Sequence, residues 1–245
     1  MPALPAPTEP ATAEPVSTEP ATAEPATTVP GDDILLPRLR VTGLSPEVLA
    51  VPAPPLPEMP VPFGLRTADP DRDAELVAEW MNRDLLIHTW NSAWPAQRWH
   101  RYIQAQLDSG FSRPLMLSYE GTTVGYLELY RASRDTISTF YAGDPWDLGL
   151  HAAVVARSAM PPRGVADGLS GLVEGAFRAE PSCRRVMFEP DHRNSPARMV
   201  CEQARCQPLG LHHMPTRKIA LYAWPRDLDD PPPAYQSLEA SAPAG

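Results

Sequence analysis

Two neighbouring stretches, Asp147-Leu-Gly-Leu-His151 and Pro161-Pro-Arg-Gly-Val-Ala-Asp-Gly168, decide the fold of this chain. Between them, Ala152-Ala-Val-Val-Ala156 predicts a short apolar strand, and the second stretch predicts a glycine-bearing turn that opens a helix. Such a turn presents free backbone N–H groups and the positive end of the helix dipole, so it can hold a phosphate. A histidine just before the strand then lies near whatever the phosphate-bearing molecule carries. This order of parts favours a group-transfer enzyme that uses a phosphorylated acyl carrier.

The charge of the chain is concentrated at its two ends. The 245 residues are enough for one substantial domain, and their net charge is −9. Residues 1–60 hold eight acids and two bases, and residues 226–245 hold four acids and one base. The part between them is therefore near neutral, which argues against nucleic-acid binding because that function needs a basic face.

Cysteine usage and hydropathy indicate a soluble protein of the cytoplasm. The three cysteines, Cys183, Cys201 and Cys206, have no partners at zinc-site spacing, and they fit a reducing compartment better than a disulfide scaffold. We therefore expect no metal site. No apolar run approaches the ~18 residues that a transmembrane helix needs. The N-terminus also lacks a basic region followed by an apolar block, so we expect neither a secretory signal nor membrane insertion.

Proline content sets the expected domain boundaries. Thr8-Glu-Pro-Ala-Thr-Ala-Glu-Pro15 recurs at 18–25, and fifteen of the 32 prolines lie in residues 1–60. Such a composition cannot bury enough apolar surface to offset the entropy of ordering. We expect a disordered extension over 1–60, a folded domain over 61–225 and a disordered acidic, proline-rich tail over 226–245. Within 31–60, the apolar Ile34-Leu-Leu36 and Leu39-Arg-Val41 leave open an added strand or loose packing on the domain.

Hydrophobic periodicity within 61–225 predicts an α+β domain. A helix through Trp80 is capped by Asp69 or Asp71, and a further helix begins at Ser195 as its cap. The remaining predicted helices span 97–107 and 167–178, and the predicted strands span 63–66, 115–119, 124–130, 137–141, 152–156, 185–189 and 218–224. Helices come first, antiparallel strands next, and a strand–helix–strand–helix–strand series closes the domain.

That order of elements is the one expected of the Gcn5-related N-acyltransferase (GNAT) fold, a central, mixed but mostly antiparallel twisted sheet flanked by helices. Residues 62–225 resemble, in particular, the lysine and N-hydroxylysine acyltransferases of siderophore biosynthesis. Six motifs in the same order carry the resemblance: Trp80-Met-Asn82, His88–Trp90, Gly125-Tyr-Leu-Glu-Leu-Tyr130, Asp147-Leu-Gly-Leu-His151, Arg163-Gly164 and Glu189-Pro-Asp-His-Arg-Asn194.

The resemblance implies a reaction and its partners. The donor is an acyl-CoA, acetyl-CoA first among them, and in some members an acyl-carrier protein. The acceptor is a small amine or hydroxylamine at the end of a lysine-like chain, such as N6-hydroxylysine, and its acylation gives a hydroxamate for iron acquisition.

Two residues are the candidate catalytic groups. Acyl transfer from a thioester needs a neutral nucleophile, a base for its proton and a donor for the developing oxyanion. His151 suits the base because imidazole exchanges protons near neutral pH. The resemblance gives Asp191 the role of base or acceptor anchor. Each has a structural alternative, a histidine bonded to a backbone carbonyl and an aspartate that fixes a turn.

Further candidates would bind the two substrates. Trp90 and Trp94 are expected to line the acceptor pocket, although large tryptophans also serve as core. Glu128 would recognise the cationic or hydroxylamine end, or bond to a neighbouring tyrosine, and Asn194 would bind the acceptor or cap a helix. For CoA we expect a pyrophosphate cradle and an adjoining strand residue: Val155, Arg163, Gly164, Val165, Ala166 and Gly168. Ala166 departs from the Arg-Gly-x-Gly pattern of the family, since a position with positive φ would need glycine.

Two other functions remain open at this point. One is an aminoglycoside-type N-acetyltransferase, for which the near-neutral domain is unfavourable because a polycationic acceptor needs an acidic site. The other is a non-catalytic acyl-CoA-binding module, which uses the proline-rich extension as a contact arm.

Overall fold

A computed structural model describes residues 35–204, 206–214 and 217–229, with the side chains of Leu85 and Arg157 left aside. The expected disorder of 1–34 and 230–245, including the repeat, lies outside the described residues. The strands are β1 (Phe63–Thr67), β2 (Ser112–Tyr119), β3 (Thr122–Arg131), β4 (Leu148–Val154), β5 (Arg185–Phe188), β6 (Gln207–His213) and β7 (Lys218–Pro225). The helices are α1 (Pro46–Ala50), α2 (Pro70–Met81), α3 (Asp84–Trp90), α4 (Ala96–Asp108), α5 (Gly164–Ala179) and α6 (Ser195–Gln203).

The strands form one sheet in the order β1-β2-β3-β4-β5-β7-β6. The pair β4–β5 is parallel and the other neighbouring pairs are antiparallel. This confirms the predicted α+β class with a mixed, mostly antiparallel sheet.

Alternation along the strands separates two cores, one on each face of the sheet. Leu115 and Leu117 of β2 face the core shared with α5 and α6. Met116, between them, faces the core shared with α2 and α4. Within the described residues, no helix is both long and apolar enough to span a bilayer.

Two predicted strands differ from the structure. Residues 137–141 were expected to be extended, but Thr136–Thr139 is a 3₁₀ turn because the carboxylate of Asp135 accepts the N–H of Ile137 at 3.0 Å and caps it. Strand β4 begins at Leu148 rather than at Ala152, since its first residues pair with the end of β3. His151 therefore lies within the strand, and its side chain is fixed by the pleat.

Three elements escaped the sequence prediction: α1, α3 and β6. Helix α3 is only seven residues long and ends at Asn91, which has the left-handed φ of 54°. Strand β6 contains Pro208 and Gly210, both poor strand residues, and its pairing with β7 is irregular between Pro208 and Leu211. A strand at the sheet edge tolerates both residues because only one of its sides is paired.

Residues 35–60 lie against the domain, which starts earlier than the expected boundary at residue 61. Leu36 and Val51 are buried, and Arg131 donates from Nε to the carbonyl of Pro52 at 2.8 Å. On α5, a Cβ at Gly175 would lie 2.4 Å from the carbonyl oxygen of Glu58, so glycine allows the segment to cross the helix closely. Of the two alternatives left open for 31–60, packing on the domain is the one the structure shows for the described part.

Strands β4 and β5 separate soon after they meet. Their pairing consists of Leu148 with Val186 and Gly149 with Met187. Beyond that point β4 continues to Val154 while its pairing with β3 persists to Gly125. The side of β4 that faces β5 is thereby opened from residue 150 onward, and this opening positions the site described next.

Candidate active site

A cavity of about 480 Å³ passes through the opening between β4 and β5. Residues from both faces of the sheet line it, which shows that it connects the two sides. On the α5 and α6 side the lining is mostly aliphatic, with Leu127, Leu150, Val154, Met160, Leu169, Leu172 and Val200. On the α3 and α4 side the lining is aromatic and charged, with Arg38, Trp90, Tyr102, Glu128, His151, Glu189 and Arg217.

His151 lies between two buried carboxylates at the passage between these halves. It is the cross-strand partner of Glu128, and its Nδ1 lies 3.0 Å from Oε2 of that residue. Its Nε2 lies 2.5 Å from Oε1 of Glu189, which follows β5 directly. Either ring nitrogen can donate to a carboxylate, and the protonated imidazole can donate to both.

Both carboxylates are held in the ionised form. Burial alone would raise the pKa of Glu128, but the hydrogen bond with His151 and the charge of Arg38 outweigh it, so this pKa lies below its ordinary value. Burial acts the same way on Glu189, and there the charge of Arg217 and the hydrogen bond with His151 lower the pKa. Two carboxylates with lowered pKa values thus lie on either side of the imidazole.

Arg38 completes this group from the N-terminal segment. Its Nη2 donates to Oε2 of Glu128 and its Nη1 to Oε1 of Glu189, each at 3.0 Å, and Nη1 also contacts Nε2 of His151. The chain on either side is fixed to the loop after β3, since Thr136 N–H donates to the carbonyl of Arg38 at 3.0 Å. The main chain at Arg38 is thus fixed beside the site, and its guanidinium is held by the contacts with Glu128, Glu189 and His151.

Glu189 keeps one oxygen free within the described residues. Its Oε1 accepts from Arg38 and from Arg217, the latter at 2.9 Å. Its Oε2 is buried and has no hydrogen-bond partner among the side chains and backbone described. Because a buried unpaired carboxylate oxygen is costly, an N–H or O–H group in the cavity would bind there favourably.

An aromatic ring supports the imidazole from the sheet. The Tyr130 ring stacks on His151 with centroids 4.4 Å apart and planes at 21°. The ring reaches this position over Gly149, where an added Cβ would lie 2.2 Å from Cζ of Tyr130. Glycine at 149 is thus required by the close approach of that ring. The stretch that decides the fold also sets the orientation of the histidine.

The two candidate tryptophans line the same half of the cavity. The Trp90 ring lies 6.1 Å from His151 in an edge-on arrangement. Trp94 lies further out, packed 5.0 Å from the buried Trp99 and covered by the guanidinium of Arg98 at 4.1 Å. Trp90 therefore borders the reacting group, while Trp94 forms the outer wall.

Asp191 and Asn194 line the cavity, but their side chains bond to residues other than His151. Both oxygens of Asp191 are bound by Arg193, with Nε and Nη2 at 2.9 and 3.0 Å, and this bonding lowers the pKa of the carboxyl against the effect of burial. Asn194 accepts the N–H of Ala197 and is the cap of α6, the role predicted for Ser195. Of the two carboxylates in this motif, the one that bonds to His151 is Glu189, two residues before Asp191.

Helix α5 begins at Gly164, so three residues predicted for the turn lie in its first turns, where they line the aliphatic half: Gly164, Val165 and Gly168. Arg163 is exposed and precedes the helix as its cap residue. Ala166 is the third residue of α5 and has an ordinary helical φ, so alanine is compatible with this position. The departure from the Arg-Gly-x-Gly pattern therefore leaves the backbone of the turn intact.

The side chain of Val155 points away from the aliphatic half of the cavity. Its side chain packs with the α2 and α4 core, and its N–H donates to the carbonyl of Val124 at 2.9 Å. Val154 occupies the lining position instead, since successive strand residues point to opposite faces. Across the described ranges, no group of three or more His, Cys, Asp or Glu side chains is arranged so that it could hold a metal ion.

The sequence did not predict Glu189, Arg38 or Arg217 as members of the site. Glu189 lies inside a motif that was recognised, and strand alternation through β5 carried the signal for it. Arg38 and Arg217 lie far from His151 in the chain, and no spacing rule connects them. Neither arginine belongs to a helix or strand predicted from the sequence, so neither could be positioned relative to His151.

Comparisons with known proteins agree with this geometry. Residues 69–214 match the family model of the acetyltransferase (GNAT) domain. The chain is 52% identical over 200 residues to the lysine N-acyltransferase MbtK of Mycobacterium sp. (strain MCS), covering 81% of each protein. It is 30% identical over 128 residues to an N(6)-hydroxylysine O-acetyltransferase of Escherichia coli, covering 52% of this chain and 41% of that one.

A solved structure shows the same fold at low identity. The aminoglycoside acetyltransferase AAC(6')-Ib in complex with coenzyme A superposes with a TM-score of 0.59 at 20% identity, over 67% of this chain and 95% of that one. The family model spans more than half of the chain, and the mycobacterial relative is matched over most of its length. This protein belongs to the GNAT acetyltransferase family and is an N-acyltransferase.

Proposed function

We propose that this enzyme transfers an acyl group from acyl-CoA to the terminal hydroxylamine or amine of a lysine-like acceptor, with N6-hydroxylysine as the preferred form. The observation that carries the proposal is the cavity through the opening between β4 and β5, aliphatic on one side of His151 and charged on the other. A thioester with an alkyl chain suits the first half, and a polar nucleophile suits the second. Relatives named for lysine and hydroxylysine acylation support this acceptor class.

The donor half is formed by β4 and the start of α5. The N-terminus of a helix offers N–H groups and a positive dipole end to a pyrophosphate. Gly164 and Val165 at this end line the cavity, with exposed Arg163 beside them as an added cation. The aliphatic lining beyond them gives the acyl carbons an apolar surface, and the same position accepts an acyl group whether CoA or an acyl-carrier protein delivers it.

In the acceptor half, His151 is the base. Its Nδ1–H donates to Oε2 of Glu128, and a proton taken up at Nε2 is bonded to Oε1 of Glu189, 2.5 Å away. Oε2 of Glu189 accepts a hydrogen bond from the acceptor's N–H or O–H group and aligns its nitrogen toward the thioester. An alkyl hydroxylamine is mostly unprotonated at neutral pH, so a base of modest strength is sufficient.

The bonds that change are one N–C bond formed and one C–S bond broken. The acceptor nitrogen attacks the thioester carbonyl, and its proton passes to Nε2 of His151. The resulting imidazolium donates to Glu128 and Glu189 at once. Collapse of the tetrahedral intermediate expels the CoA thiolate, which takes up the proton. With a hydroxylamine acceptor the product is a hydroxamate, a bidentate ligand of ferric iron, and this places the reaction in siderophore formation.

The test is a spectrophotometric assay of free thiol release. Purified protein is given acyl-CoA thioesters of short and long chain with N6-hydroxylysine, N-hydroxyornithine or lysine, and the product is identified by mass. We expect release that depends on the acceptor and is fastest with N6-hydroxylysine. If thiol release fails for every donor and acceptor while CoA still binds by calorimetry, the chain is a binding module and the proposal is refuted.

A further inference from the structure

In the acceptor half of the cavity, each carboxylate is paired with an arginine. Three carboxylates line the cavity, Glu128, Glu189 and Asp191, and each accepts a hydrogen bond from an arginine. Asp191 is bound by Arg193 and Glu189 by Arg217. Glu128 is the carboxylate for which Arg38 is the guanidinium partner within the described residues. Each of these carboxylates thus already has a guanidinium as counter-charge, and Oε2 of Glu189 remains as a hydrogen-bond acceptor.

Resting on the proposed function, we propose that Arg38 is a specificity-determining residue: by supplying the positive charge between Glu128 and Glu189, it makes the site favour a neutral hydroxylamine over a protonated amine. The two acceptor classes differ at this end of the molecule chiefly in charge. An alkylammonium brings a cation into the pocket, and a hydroxylamine does not.

Geometry shows why the preference resides in Arg38. The guanidinium bridges both carboxylates at 3.0 Å and contacts His151, so it occupies the place beside the base where an ammonium would pair. Its side chain is 26% exposed, while the side chains of Glu128 and Glu189 are 2% and 0% exposed. An incoming ammonium would have to displace this guanidinium from both carboxylates, or lie next to it unpaired.

The other groups around Arg38 leave this balance unchanged. Asp135 faces it from the loop after β3, where its carboxylate accepts from Ile137 N–H and from the Thr136 hydroxyl. It lines a small neighbouring cavity with Arg38, Glu128 and His151 rather than the main one. Tyr102 and Tyr130 are buried phenols with pKa values raised by burial, so both are neutral. The charge that a substrate meets at this end is set by the arginines and glutamates.

The experiment compares wild type with Arg38→Met, which removes the charge but keeps an unbranched side chain, and with Arg38→Lys, which retains the charge. Arg40→Met is the matched control, because Arg40 lies on the same segment but donates to Ser138 at 2.6 Å outside the cavity. For each protein, kcat/KM is measured by thiol release with N6-hydroxylysine and with lysine at neutral pH. Inhibition by norleucine, whose end is neutral, is measured beside these.

We expect Arg38→Met to lower the hydroxylysine-to-lysine ratio of kcat/KM by about tenfold or more, since one charge contact near 4 Å is lost in a poorly solvated site. Arg38→Lys and Arg40→Met should keep the ratio within about threefold of wild type, because the charge at the site is retained. An unchanged ratio in Arg38→Met, or an equal loss for both acceptors, overturns the inference.

Two further readouts keep the inference falsifiable. Should Arg38→Met fail to fold, the wild-type enzyme still decides, because norleucine must then inhibit hydroxylysine acylation more tightly than lysine does. Tighter inhibition by lysine overturns the role of Arg38. Failure of the proposed function has a different signature, since wild type then releases no thiol with any acceptor.

Discussion

Replacing Glu189 by glutamine tests the central step of the reaction. The amide keeps the shape of the side chain but removes the charge beside Nε2 of His151, which lies 2.5 Å from Oε1. A hydrogen bond between charged groups contributes about 1.5–3 kcal/mol. Each 1.36 kcal/mol of lost transition-state stabilisation is tenfold in rate, so we expect kcat to fall about 10- to 150-fold.

The same change also affects stability, which the assay must separate from catalysis. Glu189 is buried and pairs with Arg38 and Arg217, whose side chains are 26% and 19% exposed. Because these arginines retain some solvent, we expect about 1–3 kcal/mol of destabilisation, less than the loss typical of a fully buried pair. Rates are therefore measured well below the thermal transition, with kcat and KM determined separately by thiol release.

The matched control is Asp191→Asn. That carboxylate lies two residues further on, is bound by Arg193 and does not contact His151. Its loss should lower kcat by less than about fivefold, since it takes no part in proton transfer. If folded Glu189→Gln retains kcat within about threefold of wild type, or if Asp191→Asn is the more damaged variant, the assignment of Glu189 is refuted.

Three other changes probe separate features. His151→Ala should reduce kcat about 10²- to 10⁴-fold by removing the base, and retention of the full rate by thiol release would exclude it from the mechanism. Gly149→Ala puts a Cβ 2.2 Å from Tyr130, so we expect a loss of about 1–3 kcal/mol in urea unfolding together with a lower kcat; unchanged values would contradict the required close approach. Burial raises the pKa of Asp147 from 3.8 to about 6, so the folded state keeps this proton to higher pH than the unfolded state. Between pH 4 and 7, wild type should therefore lose up to about 3 kcal/mol of unfolding free energy relative to Asp147→Asn, and parallel pH curves would count against it.

Much of the fold was predictable because its signals are local. Alternation in β2 and β3, the helical period of α2 and the apolar face of α5 each lie within one stretch of chain. The errors occurred where tertiary contacts decided. The cap at Asp135 closed a turn that the apolar residues 137–141 would have extended, and pairing with β3 moved the start of β4 to Leu148.

The same distinction between local signals and tertiary contacts applies to the residues of the site. His151 and Glu128 were predictable, since a recognisable motif and strand alternation identify them, and the structure makes them cross-strand partners. The motif Glu189–Asn194 gave Asp191 as the candidate and not Glu189, because only the direction of the chain after β5 shows which carboxylate reaches His151. Arg38 was beyond reach, because 113 residues separate it from His151 and a proline-rich composition precedes it.

The crossing of residues 35–60 over the domain affects how such enzymes are trimmed for study. The family match starts only at residue 69, and even a longer chain trimmed to residue 61 would keep all seven strands, the histidine and both glutamates. It would lose the guanidinium between those glutamates. Its pocket would then carry one more negative charge and take up protonated amines more readily. A trimmed enzyme that still turned over would therefore report a different acceptor preference from that of the longer chain.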